Sequence, residues 1–160
     1  MLFRSAILQA SPPIGPAGIA LVQGSYGLFE LGSLGGTDSI AADINNDGTI
    51  TGSAGDGAGG NYGFLWKDGI MTRLGALEGG TFSAGTAISA LGAVGGTAEQ
   101  VIAVPGGKPR TERHAVRWQN GPPQVMGNPG GSQGPEVHGI TARGTLVGSV
   151  ATSVTNQDGS

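Results

Sequence analysis

Apolar side chains recur at alternate positions in short runs along this chain, and each run closes on a glycine-containing turn. Tyr62, Phe64 and Trp66 stand two apart, as do Ile40, Ala42 and Ile44, and Ile50 is flanked by Thr49 and Thr51. Period two is strand spacing, because successive side chains of a strand point to opposite faces. Residues 37–75 thus predict four short antiparallel strands at 39–44, 49–53, 62–66 and 70–74, with Ile40, Ala42 and Ile44 sharing one face of the first. Asn45-Asn46-Asp47-Gly48 and Lys67-Asp68-Gly69 join them, since Asp-Gly between extended runs is a hairpin signal.

The unit then repeats. Leu31-Gly32-Ser33-Leu34-Gly35-Gly36-Thr37 returns as Leu74-Gly75-Ala76-Leu77-Glu78-Gly79-Gly80-Thr81, and more loosely as Met126-Gly127-Asn128-Pro129-Gly130-Gly131-Ser132. An Ile-x-x-x-Gly-x-x-x-Gly string follows each copy: Ile44, Gly48 and Gly52; Ile88, Gly92 and Gly96; Ile140, Gly144 and Gly148. The spacings of 44 and 52 residues lie in the range of propeller blades and solenoid turns. In the second copy the extra length falls within 97–111, where Pro105-Gly106-Gly107 marks a surface excursion, before a strand at 114–118. The expected fold is all-β: four-stranded antiparallel repeats in a β-propeller-like array, as a partial ring or one closed by oligomerisation, with a β-solenoid as the alternative.

The pattern divides the chain into a poorly ordered segment 1–17, a single β-repeat domain 18–155 and a tail 156–160. Within the domain fall a half blade 18–31, with strands at 18–22 and 26–30, full repeats 31–73 and 74–125, and a half repeat 126–155. Two halves and two full units make three blades, whereas rings close with roughly four to eight. A homodimer of six blades, or membership of a longer chain, are the physical options.

Composition narrows the partners. Glycine takes 33 of 160 positions and proline 9, yet 38% of residues are apolar and only 12% charged, which argues for an ordered, turn-rich chain over a disordered one. With 8 basic and 11 acidic side chains, net −3, no field gathers a phosphate backbone, and nucleic acid is not an expected partner. Lys108, Arg110, Arg113 and Arg117 cluster around His114, but Glu112 interrupts them, as in a solvated loop leading into a strand. Cysteine is absent, which excludes disulfides and thiolate metal sites. The apolar run 5–11 after Arg4 is too short for a signal core or a membrane span.

Taken together, Leu31 to Thr37, Ile44-Asn45-Asn46-Asp47-Gly48 with Gly52, Phe64-Leu65-Trp66-Lys67-Asp68-Gly69, and His114-Ala115-Val116-Arg117-Trp118-Gln119-Asn120-Gly121 resemble the HAF-repeat family of bacterial extracellular repeat proteins, over about residues 31–150. In the name-giving His-Ala-Phe triplet this chain has Tyr62-Gly63-Phe64 and His114-Ala115-Val116. The resemblance implies exported, propeller-like repeats at the cell surface or outside the cell, without an established activity.

Three motifs and two pairs of side chains invite chemistry. Asp43, Asn45 and Asp47, followed by Gly48, match the opening of an EF-hand-type calcium loop, but Ala54 stands where its bidentate Glu belongs. A hairpin turn is the preferred reading there and a calcium site the alternative; no other cofactor is expected. Gly130-Gly131-Ser132-Gln133-Gly134 fits the G-x-S-x-G elbow without its strand-to-helix context. Gly55-Asp56-Gly57-Ala58-Gly59-Gly60 fits G-x-G-x-x-G but leads into a strand, not a helix that could hold a pyrophosphate. His114 and His138 are the two imidazoles and read as strand residues, and Trp66 and Trp118 read as core with sugar stacking as the alternative.

The function expected is a noncatalytic exported scaffold or binding module for an unknown protein or glycan, presented on loops. A glycan- or calcium-dependent adhesion module comes second and a propeller-type hydrolase third.

Overall fold

In the computed structural model, which describes residues 6–9, 27–127 and 134–150, the chain is all-β with antiparallel sheets and, among those residues, no helix. Two sheets have four strands each. One runs β3 (Ser39–Ile44), β4 (Ile50–Gly55), β5 (Asn61–Lys67), β6 (Ile70–Arg73), and the other β7 (Ser83–Ile88), β8 (Val94–Ile102), β9 (Arg110–Trp118), β10 (Gln124–Gly127), each in chain order across the sheet. Two further sheets are pairs: β1 (Ala6–Gln9) with β2 (Gly27–Glu30), and β11 (Pro135–Ile140) with β12 (Leu146–Val150). The first strand of one sheet packs on the sheet before it, β7 on β3, β4 and β5, and β11 on β7, β8 and β9. Among the described residues the sheets form no closed ring.

The repeated glycines have two separate causes. Gly48, Gly92 and Gly144 have φ of 75°, 80° and 84°, the left-handed conformation that the β3–β4, β7–β8 and β11–β12 turns require. Gly52, Gly96 and Gly148 instead face a β-bulge on the neighbouring strand, between Ala41 and Asp43, Gly85 and Ala87, and Val137 and Gly139. There the backbones approach so closely that a Cβ would overlap the carbonyl oxygens of Ile40, Ala84 and Glu136.

The bulge also corrects the expected face of β3. It pairs Ile40 with Ser53 and Ile44 with Ile50, and an extra residue in one strand reverses the alternation beyond it, so Ile40 and Ile44 lie on opposite faces. Both are exposed.

The Leu-Gly-x-Leu-Gly-Gly-Thr strings are crossovers from the outermost strand of one sheet to the first of the next. Leu74 leaves β6 and buries itself with Ile88, Val94, Ala98, Val116 and Trp118 of the β7–β10 sheet, where Leu65 of β5 and Leu77 also pack. Leu31 does the same after β2, joining Ile50, Ala54 and Phe64, against which Leu34, Trp66 and Met71 lie. Apolar burial of this kind stabilises by about 1.5–3 kcal/mol per large side chain, so each crossover leucine ties consecutive units together. The third string is described only at Met126 and Gly127; the rest lies outside the described residues.

Two expectations differ in detail. The segment 1–17 contains β1, whose backbone pairs with β2; the strand expected at 18–22 lies outside the described residues, and β2 falls within the one expected at 26–30. In the second repeat the excursion is mostly regular ladder, because β8 and β9 stay paired out to Ile102 and Arg110 and leave 103–109 as the connecting turn. Val101, Ile102 and Thr111 are β-branched, and Glu99 opposite Arg113 forms an ion pair at 3.1 Å, so the extension has strand propensity and a cross-strand pair of opposite charge.

Candidate functional site

The oxygens of the calcium-like loop are committed to the backbone. Asp43 receives the Ile44 amide on Oδ1 and the Ile88 amide on Oδ2, both at 2.8 Å, the second from the neighbouring sheet. Asn45 Oδ1 accepts from the amides of Asp47 at 3.1 Å and Thr49 at 3.0 Å, while its Nδ2 donates to the Ser89 carbonyl at 3.1 Å. Asp47 pairs with Lys67, and that contact raises the lysine pKa. Asp43 and Asn45 therefore hold a hairpin turn and latch it to the next sheet, and Asp47 ties it to β5. Among the described residues no three His, Asp or Glu side chains gather as a metal would require.

Comparison of the three turns shows what residue 45 does. Ser89 Oγ accepts the Ala93 amide at 3.0 Å and Thr141 Oγ1 the Thr145 amide at 3.1 Å, as Asn45 Oδ1 does for Thr49. Asn, Ser and Thr share a short side-chain acceptor that closes a turn on its own backbone. That shared residue class at equal places in the repeats was the available signal, and it was hidden by the calcium-like spacing of the first copy.

At the opposite end of the sheets lie the crossovers, the 56–60 loop and the β8–β9 hairpin. Asp56 Oδ1 accepts the amides of Ala58 at 2.8 Å and Gly60 at 2.9 Å. The amides that would cradle a phosphate in a glycine-rich loop are thus occupied by the chain's own carboxylate. These two hydrogen bonds, and then the Arg73 guanidinium with its Nη1 3.7 Å from Oδ2, hold the Asp56 pKa below 3.8. Arg73 also stacks on Tyr62, 3.2 Å from the ring centroid.

A lowered carboxylate pKa adds stability that is present in full above the unfolded value and is lost as pH falls through the folded one. Asp56→Asn keeps an oxygen for the two amides but no longer titrates. The denaturation midpoint of the wild type should therefore fall more than that of the variant between about pH 6 and about pH 3. Equal losses would remove Asp56 as an acid-sensitive group.

The remaining candidates do not converge. His114 is 9% exposed on β9, with neither ring nitrogen hydrogen-bonded and Glu112 Oε2 3.7 Å from Nε2. His138 sits at the bulge of β11, on another sheet, within 2.9 Å of Ser149 Oγ. The three arginines of the basic cluster are engaged: Arg110 with Glu112 at 2.7 Å, Arg113 with Glu99 and over the Phe82 ring, and Arg117 with Gln124 at 2.8 Å. Trp118 is a core residue, 2% exposed, donating from Nε1 to the Gly75 carbonyl at 3.0 Å, while Trp66 is half-buried. Ser132 lies outside the described residues.

A groove of about 740 Å³ runs between the β7–β10 sheet and the β11–β12 pair, lined among others by Arg117, Met126, Val137 and Leu146. Glu136 and Ser149, the partner of His138, also line it. No helix among the described residues is long and apolar enough to cross a membrane. No family model, curated protein or solved structure matches the chain.

Proposed function

We propose that this chain is a noncatalytic binding or scaffold module, its sheets arranged as propeller-like blades and its ligand, a protein or glycan, met by the loop end. The observation that carries this is the contrast between the two ends of the sheets. At one end the three first hairpins are closed by the same side-chain-to-amide bond, which is what a purely structural element needs. At the other, the first repeat has the short 56–60 loop, whereas the second projects the β8–β9 ribbon with 103–109 exposed at its tip. Variation on a repeated framework is how binding surfaces are generated. The resemblance to HAF repeats adds an exported setting to the proposal.

The test is retention on a panel of immobilised polysaccharides and bacterial surface proteins, for the full chain and for a variant in which 100–112 is replaced by a short glycine turn. Binding lost in the shortened variant, with its circular dichroism spectrum unchanged, is the expected result. Undiminished binding would move the ligand surface elsewhere, and hydrolytic turnover abolished by His114→Ala would overturn the noncatalytic assignment.

A further inference from the structure

The two paired strands at the ends of the described chain are complementary halves of one sheet. β2 precedes Leu31-Gly32-Ser33-Leu34 as β6 precedes Leu74-Gly75-Ala76-Leu77, which makes β2 a fourth strand. Its partner β1 then occupies the third place, and the register agrees: Ala6 pairs with Glu30, one before Leu31, as Phe64 pairs with Arg73, one before Leu74. β11 and β12 are first and second strands, by their shared bulge and turn. Among the described residues, one pair therefore has no second strand beside β1, and the other no third beside β12.

Three further observations point to what fills the gap. The groove lies along β12, between it and β9–β10, in the place that third and fourth strands of the last sheet would take. Val147 on β12 is 66% exposed; its place in the sheet is that of Thr51 on β4, on the face that packs toward the next sheet in the series. Finally, at the opposite end of the series Ile44 and Trp66 are less covered than their counterparts, although Ile50 and Phe64 on the same face are buried. Ile44 is 52% exposed where its counterpart Ile88 is 7% exposed, and Trp66 is half-buried where Trp118 is 2% exposed.

We propose that a second copy of this chain supplies the missing elements: β1–β2 of one copy extends β11–β12 of the other, and the Ile44–Trp66 face packs on the completed sheet. This rests on the propeller-like reading above. Within one chain the completed series would have three sheets, too few to close a ring, whereas two copies have six and two identical interfaces related by a twofold axis. The pairing of β4 with β5, where Gly52 faces Phe64 and Thr51 faces Leu65, sets the register between copies: Gly148 opposite Ala6, and Val147 opposite Ile7.

The absence of cysteine makes the test direct. A variant carrying Val147→Cys and Ile7→Cys is oxidised, and the wild type and Ile44→Asp are weighed by light scattering. The expected results are a wild type of twice the chain mass, a covalent dimer from the double-cysteine variant, and a monomer from Ile44→Asp with an unchanged circular dichroism spectrum. A monomer whose two cysteines join within one chain would overturn the second copy but leave the completed sheet standing. A monomer with no cross-link would overturn the sheet completion as well, and with it the propeller-like reading. Larger, concentration-dependent species, or a dimer that survives Ile44→Asp, would overturn the closed pair.

Discussion

Trp118→Ala is expected to cost about 3–5 kcal/mol, as truncation of buried aromatics does, and to be the most damaging single side-chain truncation in the chain. The indole is 2% exposed and packs with Leu74, Ile88, Val94, Ala98 and Val116 at the junction of two sheets. Its removal leaves a cavity that the strands on either side cannot close, because each is held by its own ladder. It also leaves the Gly75 carbonyl without its donor, but Gly75 is exposed and water can take the indole's place there. Domains of this size have about 5–15 kcal/mol in total, so the variant should melt near room temperature or fail to fold. Trp66 provides the control, since it holds the same place in the first repeat but is only half-buried. Urea midpoints followed by far-UV circular dichroism at low protein concentration should show a much smaller loss for Trp66→Ala. Equal losses would contradict the assignment of the main core to the junction between β3–β6 and β7–β10.

Gly96→Ala should be nearly as costly although it adds a single methyl group. The Cβ would overlap the Ala84 carbonyl oxygen, a backbone atom in a bulged ladder, at a residue that is itself buried. Flexible side chains can move aside from such an overlap, but two strands in register can separate only by breaking their hydrogen bonds. Overpacking of this sort costs about 1–3 kcal/mol or more, and Gly96 belongs at the upper end because sheets pack on both sides of β7–β8. Gly92→Ala isolates the other role of glycine. Nothing lies within 4 Å of a Cβ there, so the substitution carries only the strain of φ at 80°, about 1–2 kcal/mol. Denaturation midpoints of the two variants, measured side by side, should place Gly96→Ala clearly below Gly92→Ala. The reverse order would mean that the bulge yields and that the repeated glycine is kept for the turn alone.

Much of this architecture was legible in the residues because it is local. The hairpin at 45–48 follows from Asp-Gly chemistry, and the β5–β6 turn from Asp68 and Gly69, which have φ of 51° and 86°. Strand spacing in Tyr62, Phe64 and Trp66 placed β5, and the recurrence of the crossover strings set the number of units. The bulge was not legible, because an extra residue in one strand is defined only against the strand beside it; periodicity alone therefore put Ile40 and Ile44 on one face. The β8–β9 ribbon was missed for a related reason. Pro105-Gly106-Gly107 announces a turn, but how far the flanking residues remain paired depends on contacts such as Glu99 with Arg113. The calcium-like loop illustrates the same limit at the site. Asp43, Asn45 and Asp47 have the spacing of ligands, and only the neighbouring sheet shows that Asp43 and Asn45 bond to Ile88 and Ser89.

The amino-acid sequence by itself determined an all-β chain of repeated antiparallel strands, the positions of its turns and the glycines on which they depend, since φ preference and side-chain alternation act over a few residues. Tertiary structure alone decided which faces are buried, which glycine opposes a bulge, and that Ile44 and Val147 are exposed at the two ends of the series. Those properties belong to pairs of strands and sheets, whose contacts are made between residues far apart in the chain.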